Sequence, residues 1–190
     1  MPLPATSYVP QTAVPDESRR RAVLAWLVAS GVAAAGVGLV FLAPLLAAGG
    51  HGWAASFVYR GFAGLCHQQA ERSFSVGGHA LAVCARCTGI YAGFAACALV
   101  YPLVRDLRRA EAPARVWLAL AVLPTVVDFL LNVAGLWENT HASRALTGAV
   151  AGAGAAFFAL PGLTDFGRSL GRRGARTPFV GGSSAGELRV

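Results

Sequence analysis

Three cysteines stand at spacings that suit soft-metal binding or thiol chemistry: Cys66 in the run Cys66-His67-Gln68, then Cys84 and Cys87 in Cys84-Ala85-Arg86-Cys87. Cys84 and Cys87 are three residues apart at the expected start of a helix, so both thiols face one side. The helix N-terminus and Arg86 favour the thiolate form. Thiolates at C-x-x-C spacing either hold a soft metal, zinc or another soft-ligand divalent ion, or exchange disulfides. Cys66 completes a set of three sulfur ligands, with His67, His79, His141 or a water as the fourth. Three protein ligands with an open position suit a catalytic metal, and four suit a structural one. Cys66 and His67 are adjacent, so joint coordination needs a non-helical backbone there. The fourth cysteine, Cys97, lies mid-helix and reads as a small buried hydrophobe. His51 has no nearby partner and reads as an interfacial residue.

A second group of polar residues lies where an apolar environment makes them costly. Asp128 interrupts an apolar run about 13 Å from its end at 1.5 Å per residue, a depth at which ionisable residues usually face a cavity and carry function. Thr125, Asp128 and Asn132 recur at helical spacing and share a face, and Pro124 removes a backbone hydrogen bond beside them. Next comes Glu138-Asn139-Thr140-His141-Ala142-Ser143-Arg144. Ser143 suits a helix cap, and His141 a ligand, a base or a solvated residue. Arg144 can reach toward Asp128, and with Arg72 and Arg86 it can bind a phosphate or carboxylate. The plainer readings are that Asp128 pairs with an arginine to join helices and that boundary arginines snorkel to headgroups. On the functional reading, Asp128 or Glu138 is the acid or base and the three arginines bind the substrate.

Long apolar segments must position these residues. The chain has 190 residues, 55% hydrophobic and only 13% charged, against about 25% charged in soluble domains. That excludes disorder, a disulfide scaffold or a repeat array for the whole chain and leaves an integral membrane protein. A span takes about 20 apolar residues. Four runs qualify, giving an all-α protein with transmembrane helices over about 22–48, 84–104, 115–137 and 143–163. A fifth run, about 52–65, is too short to span and contains Arg60, so it reads as an interfacial or re-entrant helix. Small residues at spacing four, Gly89, Gly93 and Cys97 in the second helix and Gly148, Gly152 and Ala156 in the fourth, suit close helix packing.

Arginine placement orients the bundle. All 16 basic residues are arginine. With both termini cytoplasmic, 12 of them fall inside, leaving Arg60, Arg72, Arg86 and Arg144 on the extracytoplasmic side with the cysteines, as the positive-inside rule prefers. The basic balance therefore reports topology and gives no reason to invoke nucleic acid. Residues 1–18, rich in proline, and 169–190, rich in glycine, arginine and serine, read as disordered cytoplasmic tails around a membrane domain of residues 19–168.

The residues Cys66-His67-Gln68, Arg72-Ser73-Phe74 and Cys84-Ala85-Arg86-Cys87-Thr88-Gly89-Ile90-Tyr91 resemble the signature of a family of small prokaryotic membrane proteins, a domain of unknown function. That family's later pattern, an acid in a membrane helix, then Glu-Ser-Thr, then Arg with Thr-Gly, falls here on Asp128, Glu138, Thr140, Arg144, Thr147 and Gly148. Asn139 and His141 depart from it. The resemblance implies no activity, but it gathers the polar and sulfur positions already singled out. The leading expectation is a metal-dependent membrane enzyme, with Cys66, Cys84, Cys87 and His67 as ligands, acting on a lipid or other anionic headgroup. Its rivals are a quinone-coupled thiol–disulfide oxidoreductase, similar in layout to DsbB and vitamin K epoxide reductase, and a non-catalytic metal-stapled scaffold or carrier.

Overall fold

A computed structural model describes residues 16–107 and 111–174. It contains five α-helices: α1 (Asp16–Ala48), α2 (Gly52–Ala63), α3 (Ala85–Val104), α4 (Arg115–Val133) and α5 (His141–Gly174). All but α2 are long and apolar enough to cross a membrane. The expected tails lie outside the described residues except where α1 begins at Asp16 and α5 runs to Gly174. There they are helical, since a backbone that satisfies its own hydrogen bonds need not unwind at the hydrocarbon boundary.

α5 is the centre of the bundle, packed against α3, α4 and α1. Its seam with α3 is made by glycine. An added Cβ on Gly89 or Gly93 would land on the backbone of Ala145 or Ala149, and one on Gly148 or Gly152 on the backbone of Arg86 or Ile90. The two small-residue stripes therefore face each other in register, and only hydrogen side chains allow that approach. Cys97 is buried farther along, among Ala98, Tyr101, Ala156 and Leu160.

Two helix prolines leave carbonyls that neighbouring segments use. Pro44 has no N–H for the carbonyl of Val40, and the amide of Ala82 donates to that oxygen at 3.4 Å. Pro102 likewise frees the carbonyl of Ala98, which accepts from Trp26 Nε1 at 2.7 Å and Ser30 Oγ at 3.4 Å on α1. Membrane helices tolerate proline where neighbours satisfy the freed group in this way.

The expected third helix stops earlier than residue 137. Gly135 takes a left-handed φ of +71°. Its amide bonds Asn132 O at 3.1 Å, and the amide of Leu136 bonds Leu131 O at 3.0 Å. This is the Schellman stop that glycine permits, and it turns residues 134–140 back toward α5. Thr140, rather than Ser143, caps α5, its Oγ1 accepting the Ser143 amide at 3.1 Å. The short helix also ends sooner, at Ala63 with Gly64 as its cap.

Between α2 and α3 the chain forms a single turn of 3₁₀ helix (Ala70–Arg72) and a small hairpin of β1 (Ser75–Val76) and β2 (His79–Ala80). Gly77 and Gly78 make its turn with φ of +59° and +79°, the positive-φ pair a tight hairpin requires. The returning strand leads into Leu81, Ala82 and Val83, all buried against Val40, Ala43 and Phe62. That burial fixes where α3 begins.

Candidate metal and anion site

Cys66 follows the end of α2, its amide held by Phe62 O at 3.0 Å. The next turn is locked by Gln68, a non-glycine residue with φ of +49°, a conformation side chains rarely adopt unless their surroundings impose it. Gln68 Nε2 donates to Tyr59 O at 2.7 Å and to Ala82 O at 2.8 Å. This clamp ties the Cys66 loop to the segment that leads into Cys84. The Cys84 amide in turn donates to Cys66 Sγ at 3.2 Å.

The sulfurs of Cys66, Cys84 and Cys87 all lie within 4.8 Å of one another. Tetrahedral zinc with bonds of about 2.3 Å sets its sulfurs about 3.8 Å apart, so small side-chain adjustments fit the trio to such an ion. Cys84 immediately precedes α3. The Cys87 thiol donates to its sulfur, and the amides of Cys87 and Arg86 add to this against the cost of burial, bringing the Cys84 pKa down to about 5. A thiolate at that position is the form that ligates or attacks. Among the described residues, no histidine or carboxylate joins the trio. His67 is exposed and lies outside it, although it lines the same cavity. His79 is exposed on β2, and His141 Nε2 lies 3.1 Å from Glu71 O beside the Phe74 ring.

The three sulfur residues sit on the wall of a cavity of about 490 Å³ that Arg72, Arg86, Asn139 and Arg144 also line. Arg86 Nη2 donates to Asp128 Oδ2 at 2.6 Å, and its guanidinium carbon lies 5.8 Å from the centre of the Phe129 ring. Its Nε is buried and has no acceptor among the described residues. Asp128, only 8% exposed, also accepts from Asn139 Nδ2 at 2.8 Å. Asn139 Oδ1 in turn accepts from Arg144 Nε at 3.0 Å and Nη2 at 2.8 Å. Arg144 thus reaches Asp128 through the Asn139 amide, and the direct ion pair belongs to Arg86. Arg72 is exposed, and among the described residues its guanidinium makes no hydrogen bond or ion pair. Glu138 is exposed on an adjoining cavity of about 420 Å³, which shares Arg72, Asn139 and Arg144 with the first.

Two residues that the sequence does not single out prove central to this geometry. Gln68 announces itself only by its place after Cys-His, since its backbone angle leaves no trace in composition. Asn139 reads as a departure from the family pattern, yet it bridges an acid and an arginine.

The comparisons agree with this picture at the level of family. Residues 66–158, from Cys66 through more than half of α5, match the family described as predicted membrane protein (DUF2085). An uncharacterised protein of Methanocaldococcus jannaschii is 38% identical over 104 residues, 55% of this chain and 67% of that protein. An uncharacterised protein of Methanothermobacter thermautotrophicus is 38% identical over 92 residues, 48% of this chain and 81% of its own length. No solved structure matches. With four helices able to span a bilayer and this match, the chain belongs to the DUF2085 family of predicted membrane proteins.

Proposed function

We propose that the protein is a metal-dependent membrane enzyme. In this reading Cys66, Cys84 and Cys87 hold zinc or another soft-ligand divalent ion, and the adjoining cavity receives an anionic group. The observation that carries it is the convergence of three sulfurs and three arginines on one cavity. A divalent ion held by three thiolates keeps a position for a water or substrate oxygen, which it polarises. Arg72 and Arg144 offer guanidinium groups to the anion, and the Arg86 side chain, which lines the same cavity, adds positive charge beside it. Asp128 acts as a positioning residue, fixing Arg86 directly and Arg144 through Asn139. Glu138, which carries no ion pair among the described residues, is the acid available for proton transfer.

The placement of arginines supports both termini being cytoplasmic. Arg19, Arg20, Arg21, Arg105, Arg115 and Arg168 gather at the end of the bundle opposite the cysteines, and the positive-inside rule supports reading the cysteine end as extracytoplasmic.

A second reading, thiol–disulfide exchange coupled to a quinone, is favoured by one observation: the sulfurs of Cys84 and Cys87 lie within 4.8 Å of each other at C-x-x-C spacing. Elemental mass spectrometry with thiol counting separates the two on wild-type protein and Cys84→Ser/Cys87→Ser. About one metal per chain, lost in the variant, is expected for a metal centre. Absence of metal, with two thiols missing from the wild-type count, overturns it in favour of the exchange reading. X-ray absorption showing a fourth protein ligand would leave no place for substrate and reduce the site to a structural staple.

A further inference from the structure

A second, larger opening runs along the membrane-spanning part of the molecule. Its volume is about 1200 Å³ and its lining is almost wholly apolar. Leu24, Val28, Val32 and Leu39 of α1 stand on one side, with Ile90 and Tyr91 of α3 facing them. Ala25, Ala29, Ala33 and Gly36 contribute small side chains. From Leu24 to Leu39 the groove follows α1 for about 22 Å, against about 30 Å for the whole hydrocarbon core.

The groove meets the polar cavity end to end. Leu65 lines both. α3 presents Arg86 and Cys87 to the polar cavity and, one turn farther along the same face, Ile90 and Tyr91 to the groove. Cys66, Cys84 and Cys87 belong to the same apolar cluster as Phe62 and Tyr91 of the groove lining, so the sulfurs stand at the junction. One molecule with a long hydrocarbon chain and a negatively charged head would fill both spaces, placing the head between Arg72 and Arg144.

We propose that the α1–α3 groove seats the chain of an anionic membrane lipid whose headgroup enters the cysteine–arginine cavity, making such a lipid the substrate class. This rests on the reading that the cavity takes an anionic group. The occupant is drawn from the bilayer because the apolar groove runs along most of a membrane-spanning helix and the arginines of the cavity beside its Tyr91 end match an anionic head.

The test uses the full chain in phosphatidylcholine vesicles carrying either phosphatidylglycerol or phosphatidylcholine with a photoactivatable acyl chain. Adducts on α1 and α3 are read by peptide mass spectrometry, and metal content is measured on the same samples. Phosphatidylglycerol should label Val32 and Tyr91 peptides about tenfold more than phosphatidylcholine, the order expected from one charge-assisted contact. Arg144→Gln should bring the two probes close together. Gly36→Phe should cut labelling about tenfold by filling the groove, since an added Cβ there meets only Tyr91 Cδ1 at 4.0 Å. Gly38→Phe, outside the groove and with nothing within 4 Å, should leave labelling unchanged. Equal labelling by both probes would mean bulk lipid merely wets the groove and would overturn the proposal. So would loss of the preference on adding inorganic phosphate, which would assign the cavity to a free anion, or a dimer whose second copy covers the groove. Absence of metal with the lipid preference intact would overturn the metal reading and support the lipid seat independently.

Discussion

α5 meets α3 and α4 by different means. Against α3 it brings backbone to backbone along Gly89, Gly93, Gly148 and Gly152. Against α4, a helix rich in leucine and valine whose one buried residue is Asp128, the connection has a single such glycine, Gly154 against the Ala121 side chain, and otherwise rests on a few polar points. Thr125 Oγ1 donates to Thr147 O at 2.9 Å, and Asp128 joins Arg86 of α3 and Asn139 of the α4–α5 turn. The lesson concerns solvent. Lipid is as apolar as leucine, so large hydrophobic side chains give α4 no reason to prefer protein over bilayer. Close backbone approach and satisfied polar groups do.

Three substitutions probe that contrast, from the greatest expected effect to the least. Gly93→Leu drives a branched side chain into the Ala149 backbone, and we expect a loss of about 3 kcal/mol or more, read as a large fall in thermal stability in detergent micelles. A variant that melts with wild type would show that the seam can part without cost. Asp128→Asn leaves Arg86 without its counterion and should cost about 2 kcal/mol. That is less than the 3–5 kcal/mol of a fully buried pair, because Arg86 is 22% exposed. A double-mutant cycle with Arg86→Gln should recover much of that loss, and strict additivity would mean the two residues act separately. Thr125→Val should cost only about 0.6 kcal/mol, the usual worth of one interhelical side-chain bond in a membrane. If it exceeded Asp128→Asn in the same melts, the attachment of α4 would lie at Thr125 and not at the ion pair.

Much of this architecture is legible in the sequence because hydropathy and small-residue spacing are properties of the chain itself. The four long apolar runs and the glycine stripes of α3 and α5 fall into that class. The cysteine trio is half legible. Cys84 and Cys87 declare themselves by spacing, but the approach of Cys66 depends on the Gln68 clamp and on burial of Leu81, Ala82 and Val83 against α1. Other features depend on three-dimensional choice among equals. Arg72, Arg86 and Arg144 look alike as candidates for Asp128, and only the register of the glycine seam selects Arg86 for the direct pair. His67 has the right chemistry and neighbour for a ligand, yet the turn at Gln68 leaves it exposed. The early stop of α4 was written in Gly135, whose left-handed geometry an apolar count does not register.

The glycine seam joins two helices that are not neighbours in the chain, and this fixes an order of events during synthesis. Cys66, Cys84 and Cys87 have all been made by the time α3 emerges. The glycine face of α3 must then wait, uncovered, until α4 and the start of α5 have left the ribosome. A nascent chain therefore holds its complete sulfur trio before it owns the helix that locks α3 in place, so completing the trio and closing the bundle are separable steps in the protein's birth.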